Sequence, residues 1–357
     1  MKANISCIIV AAALAGLSSP AFPNAGQAKN VLTIKDSLDR TVAIPSRVER
    51  IITIQPEISR LIVALGAGDT LVGVDYTLRL RDPLFMIVYP EGSRLPLVSM
   101  AENNINLEMV LRLKPDLVFV SPYERQIVSA LQRKTQIPVV ALSSMGSFSK
   151  LVEEARLVGR ILGRERRADE LAAYFDETLR RLGASLKNVP QNKKPRVYLS
   201  FGGSLTRTPI FYEPVNAAGG TNVAEKLLPD FLGVITTAVN IEQIVRWDPD
   251  IILVHGNYPP PERKVTPVGV LADSRLASVK AVKAKKVYYT FGFWDWWDMA
   301  EVLTETLYLA NMFYPDAFPG FDLKREGDAI IKKFYGVEGG FSALSKILRC
   351  DEWTHEQ

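Results

Sequence analysis

His255 and His355 are all the imidazole that this chain of 357 residues carries, and that bounds its chemistry. A Ser-His-carboxylate hydrolase would have to use His255, yet no Gly-x-Ser-x-Gly elbow occurs in the sequence. A secreted α/β hydrolase is therefore the rival reading from another class, and no catalytic residue is expected. A zinc or manganese shell needs several converging imidazole or carboxylate ligands, which one histidine cannot supply, so no resident metal site is expected either. The glycine pairs Gly202-Gly203 and Gly219-Gly220 fit neither the dinucleotide nor the Walker spacing and read as turn or close-packing glycines.

The side chains suited to holding a ligand stand in short stretches that follow apolar runs. Tyr76, Arg79 and Arg81 come after "LVGVD", and Tyr123 after "LVFV". Arg207 and Tyr212 lie in "GGSLTRTPIFY", His255 and Tyr258 in "HGNY", and Trp294, Trp296 and Trp297 in "FGFWDWWD". A core rarely wants indoles on every side of a helix start, and Asp295 and Asp298 flank this cluster. Aromatic faces give apolar contact, while guanidiniums grip carboxylate or catecholate oxygens in pairs, so the set suits a large, partly planar, anionic metal chelate. The same set would serve haem, with a tyrosine or His255 as axial ligand and arginines on the propionates. Cobalamin is nearly neutral and fits less well; a small oxyanion such as molybdate or tungstate would use the arginines but hardly need the tryptophans.

These positions follow from the elements that must carry them. From Val48 onward, short apolar runs ("RIITIQPE", "LVGVD", "IPVVALS") alternate with helical patterns such as "ISRLIVALGAG". Continuous apolar strands separated by helices indicate parallel βαβ units with both sheet faces covered. In such sheets ligands bind beyond the carboxyl ends of the strands, where the candidate residues lie. Residues 148–187 contain no strand pattern. There Ala168, Leu171, Ala172, Phe175, Leu179, Leu182 and Leu186 recur at three- and four-residue spacing, predicting one long amphipathic helix over about 165–187. Beyond "NVPQNKKP" the alternation resumes, with strands at 196–201 and "KKVYYTF" and a helix around "NVAEKLL". The expected organisation is an α/β fold of two Rossmann-like lobes with parallel sheets, 29–149 and 191–357, joined by a helical segment at 150–190.

One stretch is written twice. "INLEMVLRLKPDLVFV" (105–120) and "VNIEQIVRWDPDIILV" (239–254) align without a gap and are identical at their Asn, Glu, Arg, Pro, Asp and final Val. Asn106 and Asn240 are good helix N-caps, and Glu108 and Glu242 stand in the first turn, where the helix dipole favours negative charge. Each glutamate has an arginine four residues on, Arg112 or Arg246, so an intrahelical ion pair is one full explanation of the motif.

Residues 1–28 join a lone Lys2 to an apolar run and small residues at 26 and 28, the pattern of a secretory signal peptide cleaved near Ala28. Cleavage would leave Cys350 alone, so the fold must stand without an internal disulfide. Cys7 lacks the preceding residues of a lipidation site. A net charge of +4 spread over the chain argues against nucleic acid as a partner.

The ordered set "IITIQPEISRLIVALGAGDTLVGVD", "NLEMVLRLKPDLVFV", "NAAGGTNVAEKL" and "NIEQIVRWDPDIILV" resembles the periplasmic substrate-binding proteins of ABC importers for ferric siderophores, cobalamin and haem. The resemblance runs from about Val31 to the last helix before Phe334. It implies two lobes bridged by a rigid helix, a periplasmic location, no enzymatic activity and no cofactor. It further implies a monomer that captures a metal chelate, a ferric siderophore first, and delivers it to a permease dimer in the inner membrane. In proteins this chain resembles, glutamates at the positions of Glu108 and Glu242 dock onto arginines of the two importer subunits.

Overall fold

A computed structural model describes residues 31–101, 104–122, 125–142, 147–230, 235–257, 260–291 and 298–353. The expected signal peptide at 1–28 lies outside them. In the N-terminal lobe an antiparallel hairpin, β1 (Val31–Lys35) and β2 (Thr41–Pro45), precedes the strands β3 (Ile51–Thr53), β4 (Leu71–Val74), β5 (Ser99–Ala101), β6 (Asn104–Ile105), β7 (Leu117–Val120) and β8 (Val139–Ala141). Strands β4, β3, β7 and β8 form, in that order, a fully parallel sheet. Helices α1 (Pro56–Ala64), α2 (Tyr76–Arg81), α3 (Pro83–Val88), α4 (Leu107–Leu113) and α5 (Arg125–Thr135) connect its strands.

Alternation within these strands explains the layering. Leu117 and Phe119 of β7 belong to one buried cluster, while Val118 and Val120 belong to another on the opposite face. With successive side chains pointing to opposite faces, an all-apolar strand is what a doubly covered sheet requires.

Two helices without strands follow, α6 (Phe148–Ile161) and α7 (Glu165–Leu186), the latter within a residue of the expected span. Its buried face is Ala168, Leu171, Ala172, Phe175, Thr178 and Leu182. Thr178 is buried in place of the expected Leu179, and its hydroxyl is satisfied by donating to the Tyr174 carbonyl at 2.8 Å. From α7, Arg167 donates to the Ala64 carbonyl (3.1 Å) at the C-terminus of α1.

The second lobe repeats the first. Strands β9 (Arg196–Ser200), β10 (Arg207–Pro209), β11 (Thr221–Asn222), β12 (Thr236–Ala238), β13 (Ile251–His255) and β14 (Val287–Thr290) include a parallel sheet ordered β11, β9, β13, β14. Its helices are α8 (Glu213–Ala217), α9 (Ile241–Trp247), α10 (Pro267–Leu271), α11 (Lys280–Lys283), α12 (Met299–Phe313), α13 (Leu323–Tyr335) and α14 (Gly340–Leu348). Arg167 also donates to the Lys333 and Phe334 carbonyls (2.8 and 2.9 Å) at the end of α13, so one cation tops the negative ends of a helix from each lobe.

The helix expected around "NVAEKLL" is instead the two-residue β11 and a run of turns. Asn222 explains it: its side chain accepts from the Ala224 N–H and donates to the Pro209 carbonyl, both at 2.9 Å, which closes a local turn in competition with a helix. One continuous apolar core runs from Ile34 to Trp353 through both lobes. Among the described residues no helix is long and apolar enough to cross a membrane.

Candidate functional site

Both parallel sheets share one strand order, in which the chain builds outward from its first strand in one direction and then returns to build in the other. The switch falls between β3 and β7 in the first lobe and between β9 and β13 in the second, and the carboxyl ends of each pair are where open α/β sheets bind their ligands. At the first switch point Gln55 donates to Glu57 Oε1 (2.8 Å) and to the Leu142 carbonyl (3.1 Å). At the second, Phe201 stacks on His255 with ring centroids 5.5 Å apart and planes 18° from parallel. His255 is 4% exposed, and burial pushes its imidazole down to about 3, so it is neutral throughout the physiological range.

The remaining candidates separate into three groups. Tyr76, half-buried, opens α2, whose N-cap Asp75 accepts from the Leu78 N–H at 2.7 Å; this cap starts a helix directly after β4. On that helix Arg79 is half-buried and donates to the Leu95 carbonyl (3.2 Å), while Arg81 is exposed. Arg207 opens β10, donates to Thr236 Oγ1 (2.9 Å) and pairs with Asp230 (3.2 Å). Tyr212, expected to hold a ligand, is instead part of the core. It is 1% exposed, and its hydroxyl donates to Glu305 Oε1 at 3.1 Å inside the second lobe. Tyr123, Tyr258, Trp294, Trp296 and Trp297 lie outside the described residues.

The sequence reading missed a buried ionic cluster. Arg60 of α1, 1% exposed, pairs with Asp82, the N-cap of α3, and with Asp298 (3.3 Å) and Glu301 (2.9 Å) at the start of α12. Tyr335 at the end of α13 donates to Asp298, which also caps α12 through the Ala300 and Glu301 N–H groups. Burial raises the Asp82 and Glu301 carboxyls above their ordinary range, Arg60 opposing it; burial also works against the Arg60 charge, but the surrounding carboxylates keep it protonated. Beside the cluster, Glu57, Leu151, Glu154, Asp298, Met299 and Tyr335 help line a cavity of about 20 Å³, room for a water. The one available signal is Glu301 and Glu305, four residues apart and the only charged residues in the mainly apolar "MAEVLTETLYLA". Among the described residues no three His, Cys, Asp or Glu side chains are arranged to hold a metal ion.

The twice-written stretch folds twice the same way. Asn106 caps α4 by accepting from Met109 N–H (2.9 Å), and Asn240 caps α9 by accepting from Gln243 N–H (2.7 Å). Glu108 and Glu242 are exposed in the two first turns. Neither enters an ion pair with the arginine four residues on: Arg112 reaches Met109 Sδ (3.2 Å) and Arg246 reaches Gln243 Oε1 (3.3 Å). The repeat continues at its turn, where Asp116 Oδ2 accepts from the Arg50 N–H and Asp250 Oδ2 from the Arg196 N–H, both at 2.9 Å.

Comparison with known proteins agrees with this architecture. The molybdate-binding protein MolA of Haemophilus influenzae is 28% identical over 362 residues, covering 93% of this chain and 97% of that protein. The structure of MolA bound to molybdate, described as the cognate binding protein of an ABC transporter, superposes with a TM-score of 0.69 at 25% identity, over 86% of this chain and 98% of MolA. A cobalamin-binding protein of Halobacterium salinarum is 29% identical over 231 residues, 62% of this chain and 58% of that protein. Helicobacter pylori CeuE with bound Ni(II) shares the fold, with a TM-score of 0.70 at 20% identity over 88% of this chain and 99% of CeuE. The family model described as periplasmic binding protein matches residues 51–291, and the chain belongs to that family.

Proposed function

We propose that this chain is the solute-binding component of an ABC importer, working in the periplasm after loss of residues 1–28. It captures a metal-bearing anion between its lobes and delivers it unaltered to a permease dimer. The observation that carries the reading is the duplication: each lobe has the same strand order, the same switch point, and the same N-capped helix with an exposed, unbridged glutamate. A twofold transporter is the partner that a pseudo-twofold pair of such helices fits. Burial of His255 against Phe201 weighs against a hydrolase, which needs an accessible base.

For the ligand, arginines and aromatic residues gathered after strand ends favour a metal chelate, of which a ferric siderophore is the first candidate and haem or a corrinoid the next. A bare oxyanion, molybdate or tungstate, is the second reading, and the likeness to MolA along nearly the whole chain favours it. Calorimetric titration with sodium molybdate, ferric tris-catecholate, haemin and cyanocobalamin separates these. The mass and absorption spectrum of whatever copurifies provide an independent readout. One class should bind and be recovered chemically intact; an absence of binding to all four, or a turned-over ligand, would defeat the proposal.

A further inference from the structure

The Arg60 cluster joins groups from both lobes on the helices that follow sheet strands. Helix α1 begins three residues after the end of β3, and Asp298 caps the helix that follows β14 in the second lobe. Arg60 and Asp82 come from one lobe, Asp298, Glu301 and Tyr335 from the other; the contacts that cross are Arg60–Asp298 and Arg60–Glu301, and Tyr335 holds Asp298 from within its own lobe. Each of these four charged side chains is at most 6% exposed.

We infer that Arg60 is a positioning residue for ligand capture: with Asp82, Asp298 and Glu301 it forms a buried latch that holds the two lobes at one fixed separation. This rests on the proposed ligand-binding function. An ordinary apolar interface slides, because dispersion and hydrophobic contact are non-directional. A guanidinium in a water-poor site has fixed donor directions, and breaking its bonds without replacement strands a buried charge. Any displacement of α1 against α12 must pass through that state, so the lobes have one preferred spacing and not a continuum. Apolar burial in the shared core keeps the lobes together; the cluster decides where they stop.

Removing Arg60 alone would leave three buried carboxylates, so the decisive variant removes Arg60 and neutralises two of them, Arg60→Met with Asp82→Asn and Glu301→Gln, while Asp298 keeps the Tyr335 hydroxyl and the Ala300 and Glu301 N–H groups as donors. Asn at 82 retains the cap on the Phe85 N–H, and replacing a buried ionic group by neutral side chains of similar volume is commonly tolerated. In a Cys350→Ala background, spin labels at Ser93→Cys and Lys283→Cys, both exposed and on different lobes, report the interlobe distance. The unaltered latch should give one narrow distance distribution, and the triple variant a broad one with an unchanged circular-dichroism spectrum. If the binding-competent spacing falls to about a tenth of the population, the Kd for whichever of molybdate or ferric tris-catecholate binds should rise about tenfold. Arg60→Lys, which restores the charge with fewer donors, should recover a narrower distribution. A narrow distribution and unchanged affinity in the triple variant would overturn the inference. If the unaltered chain binds neither probe, the functional reading fails while the distance measurement still decides the latch. Should the triple variant not fold, Glu301→Gln alone, which neutralises a partner of Arg60 across the lobes, carries the same expectation and the same refutation.

Discussion

Lys114 and Asp248 adopt the same left-handed backbone, φ 47° with ψ 58° and φ 47° with ψ 59°, as the residues that end α4 and α9 in the two copies of one motif. The geometry is equal but the compensation is not. Asp248 Oδ1 accepts from the Lys280 N–H at 2.8 Å and its other oxygen pairs with Lys280 Nζ at 3.3 Å, whereas the Lys114 side chain is exposed and makes no such bond. Glycine relieves the steric cost of φ > 0 in both places. Lys114→Gly should therefore stabilise the protein by about 0.5–1 kcal/mol, a rise of a degree or two in melting temperature. Asp248→Gly should fail to stabilise it, because it forfeits a hydrogen bond worth about 1 kcal/mol and the pair with Lys280. Thermal melts of the two variants side by side check this; equal shifts would show that the side-chain bonds of Asp248 contribute nothing.

His255 makes the fold acid-sensitive in a defined window. Burial holds its folded-state value near about 3 against an ordinary 6.5, so the unfolded chain binds a proton that the folded chain does not. Stability from this group is complete above pH 6.5 and is lost as pH falls from there toward 3. His255→Phe, which keeps the stacking surface toward Phe201, should flatten the difference in melting temperature across that window while leaving the neutral-pH value close to the parent's. Parallel pH slopes for the two proteins would mean that His255 titrates normally.

Two of the arginines singled out from the sequence have different expectations. Arg81 is exposed and makes no ion pair or hydrogen bond among the described residues, so Arg81→Ala should weaken binding of an anionic ligand by about 1.5–3 kcal/mol if it contacts that ligand, with the melting temperature unmoved. Arg207 ties β10 to Thr236 and Asp230, so Arg207→Ala should cost both affinity and stability. Asp230→Asn, which removes the competing carboxylate and leaves the guanidinium, should tighten binding of the same anion. Titration calorimetry and melting curves on the three variants separate these cases; unchanged affinity in all would make the arginines surface charges alone.

What the sequence disclosed was whatever a short stretch decides for itself. The spacing of Ala168, Leu171, Phe175 and Leu182 marks α7, and the continuous apolar runs mark β7 and β13, because periodicity is a local property. The repeated Asn-x-Glu pattern located both capped helices. What stayed hidden depends on partners far along the chain. Tyr212 reads as a loop residue until Glu305 is brought beneath it, and Arg60 reads as a solvated helix charge until Asp82, Asp298 and Glu301 converge on it. No pattern within "ISRLIVALGAG" specifies that meeting. The stretch "YTLRLRD" shows no helical period because its helix is only six residues long and owes its start to the single Asp75 cap.

The glutamates of the repeated motif carry the last prediction. An intrahelical bridge to Arg112 or Arg246 would have explained them as helix braces worth about 0.3–0.5 kcal/mol each. Neither bridge is present: each arginine turns to the residue three before it, Met109 or Gln243, and both carboxylates stand exposed in the first turn of a capped helix. An acidic group there is favoured by the helix dipole, but that favour does not require one in each lobe at the same place. Two carboxylates related by the duplication of the lobes offer a symmetric transporter two equivalent anchor points, and exposed charges of this kind act on encounter and orientation more than on the fold. The double variant Glu108→Arg with Glu242→Arg should accordingly bind its ligand with unchanged Kd, melt within a degree or so of the parent, and support no uptake in cells or proteoliposomes carrying the importer. Each single variant should retain part of the uptake, since one anchor remains. Normal transport by the double variant would reduce the glutamates to helix-dipole partners, and the repeat would then reflect only the duplication of the lobe.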